Sequence, residues 1–593
     1  MKLITDIFLD TFEKYKDETA FIENKTGEKI SFDNFKKQAF KIVKILQEIL
    51  PRTQEKIILY LKPQPMCHII DIAVLLSGKI TVCCDHSYNF QDVETIMGRT
   101  NSRIIFTDNP DLIEQYKNHN ITVFYIGDDK DIEKEGNQNL IIYNLYEYMD
   151  KIDENSAVSL QPISSDMIAT IFFSSGTMGK PKGIVYSHER LTNSVLSYNQ
   201  ANIFNKKGGC LSLLSSSHHC PKLCDWMVLI NGCYMIFTDY INYKRDIANY
   251  KPSYLLCVPK LLIMHMEDYY KALNKKNSCF KNLHKIFFDL SKKYLEKKDK
   301  NKLSILDFIQ IPILSLINFV GIKFVFNKII KEIQFVDNAK IIAFGAFLDR
   351  SIELFYYSIG ANLMQNYGLT EGGAVTYINE EYRRLGSVGR VSPALSLRIC
   401  DPETDEELPY NAIGLIKVKG SQTMDKYYEN EEETANVYDE NGYLSTGDMG
   451  YLTEDNFLFF KGRYKAVIVL NNGENINPEP LEAICNNSKF VSQIIIAGQD
   501  KPYLSALIVP DKDYITDWKK TNENKNMEEE ILFDINNIIG NSKYFKWSYQ
   551  IRKISLIDEH FTQENGLLTK KLGLNRNVIY EKYFNKIEEM YGE

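Results

Sequence analysis

Along its first part the chain alternates apolar runs of two lengths. Residues 56–61 (KIILYL) have strand length, residues 66–76 are long enough for a helix, and residues 79–83 and 103–107 (RIIFT) have strand length again. Strands alternating with helices predict a parallel sheet with crossover helices. Residues 168–173 (IATIFF) form a further strand that runs straight into a polar loop.

Between residues 267 and 337 the sequence turns Lys-, Leu- and Phe-rich with a helical period. A helical insertion is expected there, with the linker-like KKDKNK of residues 297–302 at its middle. Residues 303–330 are strongly apolar, but Asp307, Gln310, Asn318 and Lys323 interrupt them and Pro312 falls inside. A spanning helix needs about 20 mostly apolar residues. The expectation is a helix buried or lying on the surface, with membrane-interface contact as the second reading and no true span.

After Gly386 short strands and turns take over. Glu454, Asp455 and Asn456 between apolar-aromatic runs predict a hairpin over residues 451–460. From Tyr464 a smaller α+β unit follows, with strands expected at 466–470 and 492–497. Asn477 before Pro478 reads as an N-cap with proline at the first helical position.

A chain of 593 residues is expected to hold two or more domains. With 44% hydrophobic and 25% charged residues it has the composition of a folded globular protein. Its net charge of -8 argues against a general nucleic-acid binder. The 11 cysteines are scattered, and Cys83 and Cys84 are adjacent, which suits a reducing compartment better than a disulfide framework. Acids follow Met1 too early for a signal peptide, so a cytoplasmic location is expected.

The densest chemistry lies in the loop after residue 173: Ser174, Ser175, Gly176, Thr177, Met178, Gly179, Lys180, Pro181, Lys182 and Gly183. Glycines let backbone N–H groups close around phosphate oxygens, hydroxyls add donors, and the lysines offset the charge. The spacing is not that of a Walker A loop.

This loop resembles the signature of the adenylate-forming (AMP-binding) superfamily, with Met178 where Thr is usual. Gln365-Asn366-Tyr367-Gly368-Leu369-Thr370-Glu371 resembles its adenine and magnesium motif, Ser445-Thr446-Gly447-Asp448 its ribose motif, and Gly462-Arg463-Tyr464-Lys465 its interdomain hinge. Residues 472–482, 501–511 and 564–569, and the Lys-rich insertion, are similar to the long-chain fatty acyl-CoA synthetase group.

The resemblance implies a large N-terminal α/β domain with mixed and parallel sheets over residues 1–463, and a small, mobile α+β domain over 464–593. It implies ATP, Mg²⁺, coenzyme A and a fatty acid as ligands. Contact to a membrane surface is a further expectation, from the apolar stretch at 303–330. Ser174, Ser175, Gly176, Thr177, Gly179, Lys180, Lys182 and Gly183 would hold phosphates. Gly345, Asn366, Tyr367, Gly368, Asp448 and Arg463 would hold the nucleoside. Thr370 and Glu371 would act at the α-phosphate, with Glu371 and Thr177 toward the metal, and Lys465 would be the pivot. Taken by themselves these residues also make sense: a carboxylate has acceptor sites for two ribose hydroxyls, and a guanidinium is a planar donor fork.

His218 stands where the family has a His at the acid-binding pocket. With His219, Cys220 and Cys224 its spacing is poor for structural zinc, so lining or packing roles are expected.

One departure bears on mechanism. The family carries a catalytic lysine in a T-x-x-L-K-x-x-R motif, and here Thr569, Leu572 and Arg576 align while the lysine position is Gly573. Glycine cannot bridge carboxylate and α-phosphate. Lys571, or its neighbour Lys570, is the candidate to replace it. Phe344 and Phe347, in place of small residues, would narrow the adenine site. The leading expectation is therefore a fatty acyl-CoA synthetase. A ligase that hands the acyl group to a carrier protein, and a relative that binds nucleotide or fatty acid without turnover, are the rivals.

Overall fold

The computed structural model describes residues 2–592 apart from 24–25, 117–118, 128–139, 154–157, 175–180, 200, 206, 300–303, 334–338, 346–347, 349, 379–382, 473, 523–524, 542–548 and 570–572. For Ser174, Lys465 and Asn475 it describes the backbone.

The apolar run at residues 66–76 forms the helix Pro65–Leu76, every residue of which is buried. A helix apolar all round must be covered on all sides, and this one lies between two sheets. On one side His68 stacks on Phe21 and Phe237, with ring centroids 6.1 and 5.5 Å away. On the other it packs on the strands Lys56–Tyr60 and Ile80–Cys83.

The first sheet has seven strands, in the order Asn362–Gln365, Lys340–Ala343, Tyr254–Cys257, Gly209–Ser212, Tyr234–Phe237, Thr19–Ile22 and Lys29–Ser31. Neighbours are parallel except for the last pair. The second has eight, in the order Lys426–Tyr427, Lys182–Ser187, Ile168–Ser174, Ile80–Cys83, Lys56–Tyr60, Ile104–Thr107, Ile121–Tyr125 and Leu140–Asn144. From Ile168–Ser174 onward the pairs are parallel, and the first two pairs are antiparallel. This is the α/β architecture expected from the alternating pattern. In such sheets ligands bind beyond the carboxyl ends of the strands.

By the density of internal contacts the chain divides into two compact units. One comprises residues 1–345, 352–397 and 417–446, and the other 346–351, 398–416 and 447–593. In the second unit the central strand Leu504–Pro510 is buried throughout, antiparallel to Val491–Ala497 and parallel to Ile551–Leu556. Its alternate residues feed two cores. Ala506 and Ile508 face one with Ile494 and Ile531, while Leu507 and Val509 face another with Leu567 and Ile579. The expected hairpin is formed by Leu444–Leu452 and Leu458–Arg463, with Asn456 in the left-handed region at φ 64°.

The helical insertion starts earlier than its composition suggests, at the helix Pro259–Asn274. It continues through Ser278–Lys298, Ile305–Gly321, the π-turn Ile322–Phe326 and Asn327–Glu332. The strand expected at 466–470 is shorter. A 3₁₀ turn, Tyr464–Ala466, takes up its start and leaves Ile468–Val469 paired with Asn475–Ile476.

Candidate active site

The strand Ile168–Ser174 turns back into Lys182–Ser187 with Ser174 opposite Lys182, so the Gly-rich segment is a hairpin connection. Ser175, Gly176, Thr177, Gly179 and Lys180 lie outside the described residues, as does the side chain of Ser174. Gly183 must lack a side chain, because a Cβ there would stand 2.8 Å from Tyr428 Cβ and 3.1 Å from the Phe173 ring. The Arg99 guanidinium donates to the Pro181 carbonyl. Lys182 is paired with Glu433 in the first turn of the helix Glu431–Val437, and its Nζ lies 5.5 Å from the Tyr427 ring centre. Asn430 caps that helix and donates to Glu433 Oε2 at 3.0 Å.

The strand Asn362–Gln365 delivers Asn366 and Tyr367, both buried, to a tight hairpin. Gly368 and Leu369 pair with Ala374 and Gly373, which leaves Thr370, Glu371 and Gly372 at the tip. Two glycines make this turn possible. A Cβ on Gly368 would lie 2.7 Å from the Gly373 carbonyl, and one on Gly373, at φ 70°, would lie 2.6 Å from the Gln422 carbonyl.

Tyr186, on the strand that leaves the Gly-rich loop, donates to the Thr370 carbonyl at 2.7 Å. Tyr427 donates to Glu371 Oε1 at 3.2 Å, and the Met424 amide donates to the Glu371 carbonyl at 2.8 Å. Burial pushes both phenols well above their ordinary range, so they remain donors. Thr370 is therefore tied by Tyr186 to the strand that leaves the Gly-rich loop, and Glu371 by Tyr427 to the edge strand Lys426–Tyr427 paired with it.

Gly345, at φ 89°, follows the strand Lys340–Ala343 and has open space around the position a Cβ would take. Phe344 is buried and its amide donates to the Cys257 carbonyl at 3.3 Å, while Phe347 lies outside the described residues.

His218 caps the helix His219–Ile230 at the end of the connection from Gly209–Ser212. Its Nε2 lies 3.2 Å from Asp85 Oδ2, just past the strand Ile80–Cys83. Asp85 also accepts from Ser217 Oγ at 2.9 Å and Ser87 Oγ at 2.6 Å. Burial alone would raise the Asp85 pKa, but the hydrogen bond and charge of His218 outweigh it and hold the carboxyl well below the usual range. One turn on, Lys222 is buried 2.6 Å from Asp71 and 3.1 Å from Cys83 Sγ. Burial works against its charge, and Asp71 more than compensates, so Lys222 stays a cation. It pins the helix that presents His218 to the helix Pro65–Leu76. His219 points elsewhere, stacking on Tyr186 at 4.7 Å, and Cys224 is buried. Asp85, Lys222, Glu433 and Tyr427 carry no local motif, and each is recognisable only once its distant partner is known.

Within the second unit Asp448 is buried and stands opposite Arg463 across the hairpin, 3.4 Å from its Nε. Gly462, at φ 113°, is pressed on Asn477. That residue donates to the Lys461 carbonyl through its amide nitrogen and caps the helix Pro478–Cys485 through its oxygen. Lys465 follows in the turn Tyr464–Ala466, and its side chain is outside the described residues.

Lys570, Lys571 and Leu572 are outside them as well. Gly573 is described. Its amide donates to Thr569 Oγ1 at 3.1 Å and its carbonyl accepts from the Thr569 amide at 2.7 Å. Among the described residues, a Cβ on it would meet the Thr569 hydroxyl alone, at 3.4 Å. Arg576 forks onto both oxygens of Glu482, buried at the inner face of the helix Pro478–Cys485.

Residues 8–428 match the family model described as AMP-binding enzyme, and residues 465–593 the one described as AMP-binding enzyme C-terminal domain. The chain belongs to the AMP-binding enzyme family. Its curated relatives in this adenylate-forming superfamily include the chloroplastic long-chain-fatty-acid–acyl-carrier-protein ligase AEE15 of Arabidopsis thaliana, 25% identical over 100% of this chain and 87% of that protein. They also include the long-chain-fatty-acid–CoA ligase FadD15 of Mycobacterium tuberculosis, 26% identical over 72% of this chain and 69% of that one. Among solved structures, ATP-bound MatB from Rhodopseudomonas palustris superposes with a TM-score of 0.71 at 19% identity, covering 98% of this chain and 99% of MatB. The A domain of a carboxylic acid reductase from Segniliparus rugosus, in complex with AMP and a carboxylic acid, gives 0.74 at 18% identity, covering 100% and 94%. These superpositions show the family's fold.

Among the described residues no cluster of three or more His, Cys, Asp or Glu side chains could cage a metal. Magnesium does not need one, since it binds through one or two carboxylates together with substrate phosphates and water. The half-buried Glu371, bonded to Tyr427 on the strand Lys426–Tyr427, fits that donor set.

Proposed function

We propose that this protein activates a long-chain fatty acid as its acyl-adenylate and then passes the acyl group to the thiol of a phosphopantetheine arm. The observation that carries the reading is the hairpin holding Thr370 and Glu371 against Tyr186, on the strand that leaves the Gly-rich loop, and Tyr427, on the edge strand paired with it.

In this reading the backbone amides of residues 174–183, with Lys180 and Lys182, hold the β- and γ-phosphates. Gly345, Asn366, Tyr367 and Gly368 receive the adenine, and Asp448 accepts from the ribose hydroxyls with Arg463 beside it. Thr370 donates to the α-phosphate, and Glu371 with Thr177 holds Mg²⁺, which neutralises phosphate charge when bound. His218, oriented by Asp85, lines the acid pocket. The carboxylate oxygen attacks the α-phosphorus in line as the bond to pyrophosphate breaks. Catalysis is then mainly positioning and charge stabilisation. Lys571 supplies the cation that Gly573 cannot. In the second step the thiolate attacks the acyl carbonyl and AMP leaves, after the small domain turns about Lys465.

Two thiols fit this chemistry, coenzyme A and an acyl carrier protein. The relatives named as an acyl-carrier-protein ligase and as acyl-activating enzyme 16 match 100% of this chain, while those named as CoA ligases match 72–76%. That difference supports the carrier protein as an acceptor alongside coenzyme A. The test is mass spectrometry of AMP and thioester after incubation with ATP, Mg²⁺, graded fatty acids, and either coenzyme A or phosphopantetheinylated carrier protein. ATP-dependent thioester with either acceptor is expected. ATP binding with neither AMP nor thioester would overturn the proposal in favour of a binding protein.

A further inference from the structure

The helix Ser278–Lys298 and the helical stretch Ile305–Glu332 pack on each other as a hairpin with one face left uncovered. Its second arm is continuous from Ile305 to Glu332 and apolar enough to attract a membrane. It packs on the helix Ser278–Lys298 where Gly321 allows close approach, since a Cβ there would lie 2.9 Å from the Phe287 ring. Asp307, Leu314, Gly321, Val325 and Ile329 are turned inward and buried. Asp307 pairs with Lys297 and closes a capping box with Ser304.

The opposite face carries Ile305, Ile309, Ile313, Leu316 and Phe319, spaced three or four residues apart in one stripe, with Phe324 beyond them. Each is 56–84% exposed. A contiguous apolar surface of this kind marks an interaction site.

Charge identifies the occupant. Residues 278–332 contain eleven lysines and five carboxylates, in a chain whose net charge is -8. Six of the described lysines flank the stripe. Lys298 precedes it, Lys323, Lys328 and Lys331 follow it, and Lys285 and Lys293 are exposed on the neighbouring helix. From residue 305 to 322 the one charged side chain is Asp307, which faces inward. Lys323 extends along the ring faces of Phe319 and Phe324, its Nζ 5.9 and 5.5 Å from their centres. An apolar stripe rimmed by cations, with long stems lying along the rings, suits a surface of acyl chains beneath anionic headgroups. The inward face holds the helix in the fold, with Phe326 5.3 Å from His284, so the arm lies in the interface plane and does not cross the bilayer.

We propose that the hairpin of residues 278–332 docks the protein on anionic lipid bilayers, immersing Ile309, Leu316 and Phe319. The test is vesicle flotation of the full chain with phosphatidylcholine alone or mixed with phosphatidylglycerol. Binding to the anionic vesicles is expected to be at least about tenfold stronger, and to weaken with added salt. Leu316→Glu combined with Phe319→Glu should lower it about tenfold with no change in melting temperature, because both side chains are exposed. Lys323→Glu with Lys328→Glu should abolish the preference for anionic lipid, and this pair decides the matter if the first variant fails to fold. Vesicle binding unchanged in both variants, or absent in the parent, would overturn the proposal. A concentration-dependent dimer lost in the Leu316 and Phe319 variant, without vesicle binding, would assign the face to a second copy. Resistance to alkaline extraction would assign it to a span.

Discussion

Around Glu371 the chain has no slack. Gly368 and Gly373 are wedged against backbone carbonyls, Tyr186 and Tyr427 hold the tip, and the neighbouring Lys182 is already paired with Glu433. Around Gly573, in the other unit, there is room. The residue touches Thr569, and its segment is fixed a turn later by the Arg576 fork on Glu482. The family resemblance assigns both segments to one reaction, yet one is held by side chains from distant strands and the other by its own backbone, Thr569 with Gly573 and Asn575 with Leu567, and by the Arg576 fork beyond. A braced site tolerates few replacements. A segment held by its own backbone tolerates a change of side chain, provided the Arg576 fork survives.

Acid should separate the two units most strongly. Burial pushes His188, His265 and His284, all in the first unit, down to about 4. The unfolded chain takes up their protons near pH 6.5 and the folded chain only near pH 4, so stability is full above 6.5 and falls as pH drops to 4. The cost is roughly 3 kcal/mol per fully buried histidine. The second unit has only the exposed His560. Urea melts at pH 7.5 and 5 should show the first unit weakening and the second holding. A parallel loss in both would contradict these assignments.

Arg576→Ala attacks the fork instead. It leaves the Glu482 carboxylate buried without its cation and should cost the second unit about 3–5 kcal/mol, read as a lowered denaturation midpoint with the first unit unaffected. Gly373→Ala tests the bracing. A Cβ at φ 70° against the Gln422 carbonyl should cost roughly 2–3 kcal/mol. Adenylate formation, followed as pyrophosphate release, should fall by about a hundredfold or more as the hairpin tip shifts. Full activity would remove this hairpin from the reaction.

Gly573→Lys should have the smallest effect on folding, within about 0.5 kcal/mol, since there is space at that position. We expect it to raise pyrophosphate release by about tenfold, by supplying a cation to the transition state. An unchanged rate would mean that Lys570 or Lys571 already does so.

The elements legible in the sequence are those whose cause is local. The strand near residue 58 and the buried helix near residue 70 show as apolar runs. The Asn477 cap shows as a capping residue before proline, and the hairpin at 451–460 as a turn between aromatic runs. What the sequence concealed has partners far along the chain. Lys182 meets Glu433 and Tyr427, His218 meets Asp85, and Lys222 meets Asp71. No spacing rule links residues more than a hundred positions apart. The π-turn at Ile322–Phe326 escaped for another reason: its composition is that of any apolar helix, and only the hydrogen-bond pattern distinguishes it.

The contact of Gly462 with Asn477 makes the segment between them behave as a closed link. One amide side chain grips the Lys461 carbonyl with its nitrogen and the first turn of the helix Pro478–Cys485 with its oxygen. Torsion applied at residues 462–465 therefore reaches that helix directly instead of being absorbed by the chain. In the proposed second step, a turn about Lys465 would have to release the Lys461 carbonyl first, at about 1 kcal/mol.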